Sequence, residues 1–396
     1  MAIYFLCPRL RKLTGGERLV LKLAEHLTLE GQPVKIVTHY LSETCRPVLA
    51  DQVGLIETGH QLNVFHNHYL NAPLEYLMSP ALLGEIGEDA EGICFFGPPS
   101  LPALWWAKIA KGVKVPCLYF CWEPPRFLYS DQKEVVSRMG MAGKLTHPLL
   151  PLYRRLDKRM TTQADAILTV SDFAAGQIEQ AYGLTAYAIT LGPSAIGPPD
   201  PRRVAELRER YGLANAQGTV LTVNHLHPRK RIDLFLHAMK HVVMNMPRAI
   251  ALIVGTGPER RRLLNLRQEL GLEKNVILCG FVPEKDLAAH YALSEIYVHT
   301  AKLESFGLSV IEAEANGLPV VSVDEGGPKE TILSGQTGFL TKAEPASLAN
   351  KILYLLQNRR QARQMGRAGQ KYVTSKYRWE QGAREFLRIY RACQKR

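Results

Sequence analysis

Short runs of β-branched and aromatic residues alternate with helical patterns along nearly the whole chain, and this alternation limits the possible folds. IYFLC (3–7) precedes a stretch with leucines at helical spacing, and VKIVT (34–38) follows that stretch. Strand, helix and strand in that order predict parallel neighbouring strands joined by a crossover helix. ADAILTVS and DFAAGQIEQAYG repeat the unit later, with Ser171 or Asp172 predicted as the helix cap.

The pattern restarts after LGPSAIGPPDPRR (191–203), a stretch rich in proline and glycine that is the best linker candidate. The strand-like runs beyond it are 218–223, 250–255, 276–281, 296–300, 318–323 and 338–340. A chain of 396 residues is also longer than one typical domain. We therefore expect two successive α/β domains, followed by an amphipathic helix at the end of the chain.

The composition is ordinary for a globular protein, with 46% apolar and 22% charged residues. No apolar run approaches the roughly 18 residues of a membrane span. The start of the chain reads as a first strand rather than a signal peptide. Seven scattered cysteines, among them Cys117 and Cys121, favour reduced cytoplasmic thiols over a zinc site. His66 and His68 are interpreted as structural or surface residues.

The net positive charge of the chain comes from its second half. Residues 1–195 carry 18 Lys and Arg against 18 Asp and Glu, whereas residues 196–396 carry 31 against 19. The second domain is therefore expected to meet an anion, although a solvated basic surface explains the excess equally well. Arg260, Arg261 and Arg262 fit an exposed helix face. Nucleic acid is not expected as a partner, because basic and aromatic residues are not interleaved.

LESFGLSVIEAEANGLPVV (303–321) carries two glutamates eight residues apart, Glu304 and Glu312. We expect a turn followed by a helix whose first N–H groups form an anion site, with Gly307 allowing close approach of the ligand. Glu304 in the turn and Glu312 on the helix would then read two parts of one polyhydroxylated ligand. The alternative is that Glu304 caps the helix and Glu312 lies on a solvated face.

VNHLHPRKRIDLFLHA (223–238) places Arg229, Lys230 and Arg231 in a loop between a predicted strand and a predicted helix. Cations at that position could neutralise the charge that develops on a diphosphate leaving group. The alternative is a basic helix start on the surface.

The stretch 303–321, followed by DEGGPKETI, resembles the E-x7-E signature of the retaining family 4 glycosyltransferases. This resemblance covers nearly the whole chain and implies the GT-B architecture, two Rossmann-like α/β domains facing each other across a cleft. It places Glu304, Lys230 and Arg229 at the reacting centre and Glu312 on the ribose. The remaining donor-binding residues that it implies are Gly15, Gly16, His225, Phe281, Val282, Ser305, Phe306, Gly307 and Leu308.

Two positions depart from the family pattern. Asn224 and His225 replace a Gly-Arg pair, so Arg229 or Arg231 would have to supply the missing cation. In YFCWEPPRFLY (119–129), Trp122 replaces a histidine that the family places near the transferring sugar. Glu123 and Arg126 are then the polar candidates of that loop. Trp122 and the two prolines could instead form a rigid packed corner.

The expected domains are an acceptor-side domain over 1–192, a donor-binding domain over 193–377, and a helix over 378–396 that returns to the first domain. The expected activity is retaining transfer of a hexose, with mannose favoured, from a GDP- or UDP-sugar to a glycan or lipid-linked acceptor. No cofactor or metal is expected, because D-x-D and H-E-x-x-H motifs are absent from the sequence. The expected location is the cytoplasm.

The segment 146–160 mixes apolar and basic residues and could contact the inner face of an anionic membrane, although packing on its own domain is the commoner role of such a stretch. Two other functions stay open at this point. One is a sugar-nucleotide-binding protein of the same fold with impaired catalysis, suggested by Trp122 and His225. The other is a nucleotide-sugar epimerase. The oligomeric state is left open.

Overall fold

The computed structural model describes residues 1–11, 13–59, 74–130, 147–194 and 197–395. The chain divides into two compact units. The first contains Met1–Leu191 together with Trp379–Arg396, and the second contains Gly192–Arg378. His66 and His68 lie outside the described residues. Within the described part of the chain, no helix is both long and apolar enough to cross a bilayer.

The first unit is built on a seven-stranded parallel sheet with the order β3-β2-β1-β4-β5-β6-β7. Its strands are β1 Ala2–Leu6, β2 Val34–Thr38, β3 Gly54–Glu57, β4 Ala90–Phe96, β5 Cys117–Phe120, β6 Ala166–Thr169 and β7 Ala186–Ala188. Both faces of the sheet are covered. Tyr4 belongs to an apolar cluster with Leu104 and Ile178, whereas the next residue, Phe5, faces Phe386 with 5.8 Å between ring centroids.

The α-helices of the first unit are Gly15–Leu29, Leu101–Trp105, Arg126–Tyr129, Leu150–Thr161, Asp172–Tyr182 and Trp379–Gln394. Short 3-10 turns occur at Arg46–Val48, Ser79–Glu85, Pro98–Ser100 and His147–Leu149, and a π-helical turn occurs at Trp106–Ala110. Ser171 is the cap of its helix, because its hydroxyl accepts from the Ala174 N–H at 3.0 Å. Asp172 is the first helical residue.

The last helix of the chain, Trp379–Gln394, is part of the first unit. It packs against Gly15–Leu29. The Tyr390 hydroxyl donates to the Glu91 carbonyl at 2.6 Å, and Gly92 leaves room for the Tyr390 ring where a Cβ would lie only 2.4 Å from it. Phe386 is fully buried. The helix is therefore a structural component of the first unit's core.

The second unit contains a six-stranded parallel sheet with the order β10-β9-β8-β11-β12-β13. Its strands are β8 Gly218–Val223, β9 Ala249–Val254, β10 Val276–Gly280, β11 Ile296–His299, β12 Val320–Val323 and β13 Gly338–Thr341. Consecutive residues again face opposite layers: Val220 packs with Phe235, and Leu221 packs with Tyr291. The prediction of two parallel α/β domains is confirmed.

The α-helices of the second unit are Pro201–Arg210, Ile232–Asn245, Arg260–Glu269, Glu284–Ala292, Leu308–Ala315, Pro328–Thr331, Pro345–Gln357 and Arg359–Lys376. Short 3-10 turns occur at Leu213–Asn215 and Pro228–Lys230. The predicted exposure of Arg260, Arg261 and Arg262 is confirmed.

Candidate functional site

The candidate site lies in the second unit, where the direction of strand addition reverses. The sheet grows from β8 toward β9 and β10 on one side and from β11 toward β12 and β13 on the other. In open α/β sheets, ligands bind at such a switch point, beyond the carboxyl ends of the strands. The loop that leaves β8 is residues 224–231 and contains Lys230. The loop that leaves β11 is residues 300–307 and contains Glu304.

The centre of the site is a carboxylate held by two cations. One oxygen of Glu304, Oε2, lies 2.5 Å from Lys230 Nζ and 3.2 Å from Arg229 Nη1. All three side chains are mostly buried, with 17%, 14% and 26% exposed. The structure thus brings together the three residues that the sequence placed at a reacting centre. It also rules out the interpretation of Glu304 as a simple helix cap.

Burial alone would raise the pKa of Glu304, but the charges of Lys230 and Arg229 outweigh it and hold the pKa well below its usual range. Glu304 is therefore ionised and acts only as an acceptor. His299 is 1% exposed. Burial, together with the cations of the basic loop, lowers the pKa of His299 to about 3 against the opposing effect of Glu304. Its imidazole is neutral, so the charge of the cluster comes from permanent ions.

Arg231 fixes the basic loop to the strand beside it. Its backbone adopts a left-handed conformation with φ +47°, which is uncommon for a residue with a side chain. Its guanidinium donates to the Thr300 carbonyl at 2.8 Å and makes two bonds to the Glu325 carboxylate at 3.1 and 3.0 Å. The Thr300 hydroxyl in turn donates to the Lys230 carbonyl at 2.7 Å. Arg231 thus anchors the basic loop and, through Thr300, supports the backbone of Lys230.

The Glu304 loop rests on two glycines of the DEGG segment. The Gly327 N–H donates to the Glu304 carbonyl at 2.7 Å. A Cβ on Gly326 would lie 2.5 Å from that carbonyl oxygen, and one on Gly327 would lie 2.2 Å from the Ser305 carbonyl oxygen. Gly326 also has φ +74°. Only glycine allows this backbone-to-backbone contact, which sets the position of Glu304.

The helix Leu308–Ala315 follows the turn, with Gly307 before it at φ +94°. Ser305 and Leu308 are partly exposed beside this helix start, and Phe306 is buried against Tyr377 with 5.7 Å between ring centroids. The helix thus starts directly after the turn that carries Glu304, and anion binding by its first N–H groups stays a prediction.

Glu312 is buried, with 2% exposure, and accepts a hydrogen bond from the Tyr291 hydroxyl at 3.1 Å. The alternative of a solvated helix face is therefore wrong for this residue. Sequence reasoning missed Tyr291, because a tyrosine within an apolar helical pattern is indistinguishable from a core residue.

Three further predicted residues lie in loops of the same unit. His225 is exposed and stacks on His227 with 6.4 Å between ring centroids. Phe281 is 60% exposed, whereas Val282 is partly buried. The neighbouring Asn224 is buried, and its backbone N–H donates to the Val254 carbonyl at 3.0 Å.

Gly15 and Gly16 belong to the first unit, as the first two residues of the helix Gly15–Leu29. Gly16 lies in contact with the Trp122 ring, at 3.8 Å from the position of a Cβ. A Cβ at Gly97 would approach the same ring to 2.6 Å. The indole thus occupies space that two glycines leave free. It forms part of the wall where β1, β4 and β5 end.

Glu123 and Arg126 pair with each other at 2.8 Å. Among the described residues, no group of three or more His, Cys, Asp or Glu is arranged to hold a metal ion. Besides Tyr291, sequence reasoning missed His299, Glu325 and the two glycines of the DEGG segment. The segment itself was visible as a companion of the glutamate signature, but its contact with the Glu304 backbone could not be read from it.

Two family models match the chain. "Glycosyl transferase 4-like domain" matches residues 14–195, and "Glycosyl transferases group 1" matches residues 204–372. Together they leave only the termini and a short connection unmatched. The chain belongs to the family 4 glycosyltransferases. Within this family, the ion cluster of Glu304 lies in the part of the chain that the group 1 model matches.

Relatives of this chain include mannosyltransferases of mycobacteria. It is 30% identical over 248 residues to the GDP-mannose-dependent alpha-(1-6)-phosphatidylinositol monomannoside mannosyltransferase of Mycolicibacterium smegmatis, covering 60% of the chain and 65% of the relative. It is 29% identical to the D-inositol 3-phosphate glycosyltransferase of Segniliparus rotundus, over 61% of the chain and 56% of the relative. The matches thus span less than two thirds of the length of these relatives.

Solved structures show the same fold. Anabaena Alr3699/HepE in complex with UDP-glucose has a TM-score of 0.77 at 20% identity, covering 99% of this chain and 100% of that one. WaaG, a glycosyltransferase involved in lipopolysaccharide biosynthesis, has a TM-score of 0.72 at 16% identity, with 98% and 99% covered. At these identities the likeness establishes the GT-B fold alone.

Proposed function

We propose that this chain is a retaining glycosyltransferase that moves a hexose, mannose by preference, from a nucleotide diphosphate sugar to an acceptor hydroxyl. The observation that carries the proposal is the ionised Glu304 carboxylate shared by Lys230 and Arg229 beside a helix N-terminus. The preference for mannose is supported by the GDP-mannose dependence in the names of the mycobacterial relatives. Those relatives act on a phosphatidylinositol mannoside, which supports a role in glycolipid or glycan assembly.

The cations would act on the leaving group. A bound diphosphate would draw Lys230 and Arg229 partly away from Glu304 and share their charge, while the first helical N–H groups donate to its oxygens. Glu304 would accept hydrogen bonds from the sugar hydroxyls. These side chains offset the developing negative charge themselves, so the proposed reaction draws on no resident cofactor. Glu312, fixed by Tyr291, would hold the ribose.

The proposed bond changes occur on one face of the sugar. The bond from the anomeric carbon to the diphosphate oxygen breaks, and its electron pair leaves with that oxygen. The same oxygen takes the proton of the acceptor hydroxyl as the new carbon–oxygen bond forms. Retention of configuration follows without a carboxylate nucleophile, and the protein contributes position and electrostatics.

The division of labour between the two units follows the same proposal. Residues 193–377 would bind the donor, and residues 1–192 would bind the acceptor. The resemblance assigns Gly15 and Gly16 to the donor diphosphate, and that assignment stays a prediction. We place the enzyme in the cytoplasm, with peripheral contact at the inner face of the membrane.

The decisive experiment has two stages. Thermal-shift screening against GDP-, UDP- and ADP-sugars identifies the donor, and transfer is then measured with phosphatidylinositol mannoside and simple mannosides as acceptors. We expect a product whose new linkage keeps the anomeric configuration of the donor, determined by NMR. Inverted configuration refutes the proposed mechanism. Tight donor binding without product favours an impaired sugar-nucleotide-binding protein, and conversion of the donor without any acceptor favours an epimerase.

Trp122 provides a second test, because it occupies the position of the family's histidine. Trp122→His replaces the indole, which fills the space that Gly16 and Gly97 leave free, by a smaller imidazole. If the indole limits turnover, the variant should raise kcat with unchanged donor affinity. An unchanged kcat would indicate that the indole acts only in packing.

A further inference from the structure

A cavity of about 720 Å³ lies within the second unit. Its walls are the connecting residues 197–199, the ends of two helices at Ala292 and Ala315, and one face of the helix Arg359–Lys376. The volume falls within the usual range of small-ligand sites, about 300–1,000 Å³. We name this cavity the basic pocket, because the charged residues that line it are Arg367 and Lys371.

The basic pocket and the candidate site lie at opposite ends of one helix. Leu308–Ala315 starts directly after the turn that carries Glu304, and its last residue is part of the pocket wall. Its eight residues span about 12 Å. The basic pocket is therefore a separate site, whose ligand would not share side chains with a donor bound at Glu304.

Gly366 allows the helix Arg359–Lys376 to approach that helix end closely. A Cβ at this position would lie 1.9 Å from the Gly317 carbonyl oxygen. One turn later, the Gln370 amide donates to the Ala315 carbonyl at 2.9 Å. A neutral amide, rather than one of the cations, therefore satisfies the end of the facing helix.

The cations of the basic pocket lack acidic partners. Arg367 and Lys371 are both exposed, and neither makes an ion pair with another described residue. None of the described residues that line the pocket is acidic, and the whole helix Arg359–Lys376 contains no Asp or Glu. Two like charges one turn apart disfavour the free helix. An anion bound between them would remove this repulsion.

The basic pocket also accounts for charge that the candidate site leaves unexplained. Residues 196–396 carry 31 Lys and Arg against 19 Asp and Glu. At the candidate site, Lys230 is paired with Glu304 and Arg231 with Glu325. The excess therefore lies on other surfaces of this unit, and the basic pocket combines two of its cations with a cavity of ligand size.

We propose that the basic pocket binds a small organic phosphate with a hydroxylated body, a sugar phosphate. Arg367 and Lys371 hold the phosphate through charge-assisted hydrogen bonds. The Gln370 side-chain oxygen accepts from a hydroxyl of the body, because its amide nitrogen is bonded to Ala315. A bare phosphate ion would leave most of the cavity unfilled, so the volume favours a phosphate ester. The inference goes beyond the proposed function and does not depend on it.

The test is isothermal titration calorimetry of the full chain with glucose 6-phosphate, inorganic phosphate and glucose. We expect saturable binding of glucose 6-phosphate, binding of inorganic phosphate that is weaker by at least about tenfold, and no measurable binding of glucose. Arg367→Gln/Lys371→Gln should weaken glucose 6-phosphate binding about 100-fold, since each charge-assisted hydrogen bond contributes about tenfold. Arg367→Lys/Lys371→Arg keeps both charges and should stay within about tenfold of the wild type.

The matched control is Arg360→Gln/Arg363→Gln. It removes two exposed cations from the same helix, neither of which lines the pocket, and it should bind glucose 6-phosphate like the wild type. Equal loss in this control would show a diffuse charge effect and overturn the site. Full binding by Arg367→Gln/Lys371→Gln, equal affinity for inorganic phosphate, or no wild-type binding would overturn it as well. Circular dichroism verifies that each variant is folded.

A phosphate ester can also enter the candidate site beside Lys230. Lys230→Met should weaken binding there and leave binding in the basic pocket unchanged. If Lys230→Met instead abolishes glucose 6-phosphate binding, the ligand occupies the donor site and the proposal is refuted.

Sugar transfer distinguishes this proposal from the proposed function. Arg367→Gln/Lys371→Gln should transfer sugar at the wild-type rate when no phosphate ester is added. Pocket binding by a chain that transfers no sugar would refute the proposed function and leave the basic pocket intact. Normal transfer by a chain that binds no glucose 6-phosphate would do the reverse.

Discussion

Replacing Lys230 by methionine separates the stabilising role of the ion cluster from its catalytic role. Methionine keeps most of the side chain's apolar length and removes the charge that lies 2.5 Å from Glu304. At an effective dielectric constant of about 20, the gross attraction between charges at this separation is about 7 kcal/mol. Most of that is offset by the desolvation of both ions, so the gross figure is not the expected loss.

The expected loss of stability is about 2–3 kcal/mol. Breaking a buried ion pair costs about 3–5 kcal/mol because the remaining charge is uncompensated. Here Glu304 keeps Arg229 at 3.2 Å, and all three side chains retain some contact with solvent, so the lower part of that range applies. The catalytic loss should be larger: removing one preorganised group from a developing anion lowers kcat about 100- to 1,000-fold.

Release of the nucleoside diphosphate in the presence of acceptor measures the catalytic effect. Far-ultraviolet circular dichroism in urea measures the effect on stability, because all four tryptophans (105, 106, 122 and 379) belong to the first unit and do not report on the second. The double variant Lys230→Met/Glu304→Gln should recover part of the lost stability, since both charges are gone, yet remain inactive. A single variant within tenfold of the wild-type kcat would refute the electrostatic role of Lys230.

Three further predictions concern other parts of the chain. Glu314 is fully buried, and burial raises its pKa from about 4.5 to about 8. Unfolding therefore releases its proton, and the free energy of unfolding falls as pH rises from about 4.5 to 8. Glu314→Gln should flatten this dependence and add about 2–4 kcal/mol to the free energy of unfolding above pH 8, measured by urea titration. Gly326→Ala should displace the Glu304 carbonyl and reduce donor affinity at least tenfold in calorimetry. Phe386→Ala should destabilise the first unit by about 3–5 kcal/mol, seen in tryptophan fluorescence.

Each of these has its own control. Gly335→Ala introduces the same backbone strain at φ +83° with nothing within 4 Å, so it should leave donor affinity unchanged; equal loss in both glycine variants would show strain alone to be responsible. A pH profile of stability identical in wild type and Glu314→Gln would mean that Glu314 does not titrate in this range. If Phe386→Ala also shifted the unfolding transition of the second unit, that would contradict the assignment of the helix Trp379–Gln394 to the first unit.

The strands were predictable because they rest on local pattern, and the ion cluster was predictable because its residues carry the family resemblance. VKIVT (34–38) and GTVLTV (218–223) are strands over the predicted residues, since their apolar runs are long enough to fix both ends. The resemblance placed Glu304 and Lys230 in one site, and the structure shows that both follow strands that pair with each other.

The contacts that hold the ion cluster in place could not be predicted from the sequence pattern. Arg231 looked like a third cation for the ligand, but its pairing with Glu325 depends on a loop 94 residues away in sequence. The neutrality of His299 depends on burial and on neighbouring charges that only the folded chain brings together. The same holds for Trp122, whose fit depends on two glycines, Gly16 and Gly97, that are distant in sequence.

The first unit is built from two separate segments of the chain, and this has a consequence for its synthesis. Residues 192–378 form a contiguous segment that can fold as soon as it leaves the ribosome, whereas the sheet face around Phe5 stays uncovered until Phe386 and Tyr390 have been translated. Nascent chains therefore carry an incomplete N-terminal core through most of elongation, contrary to the usual order in which the N-terminal domain matures first. Premature termination before residue 379 should therefore leave the first unit without a complete core and make it dependent on chaperones.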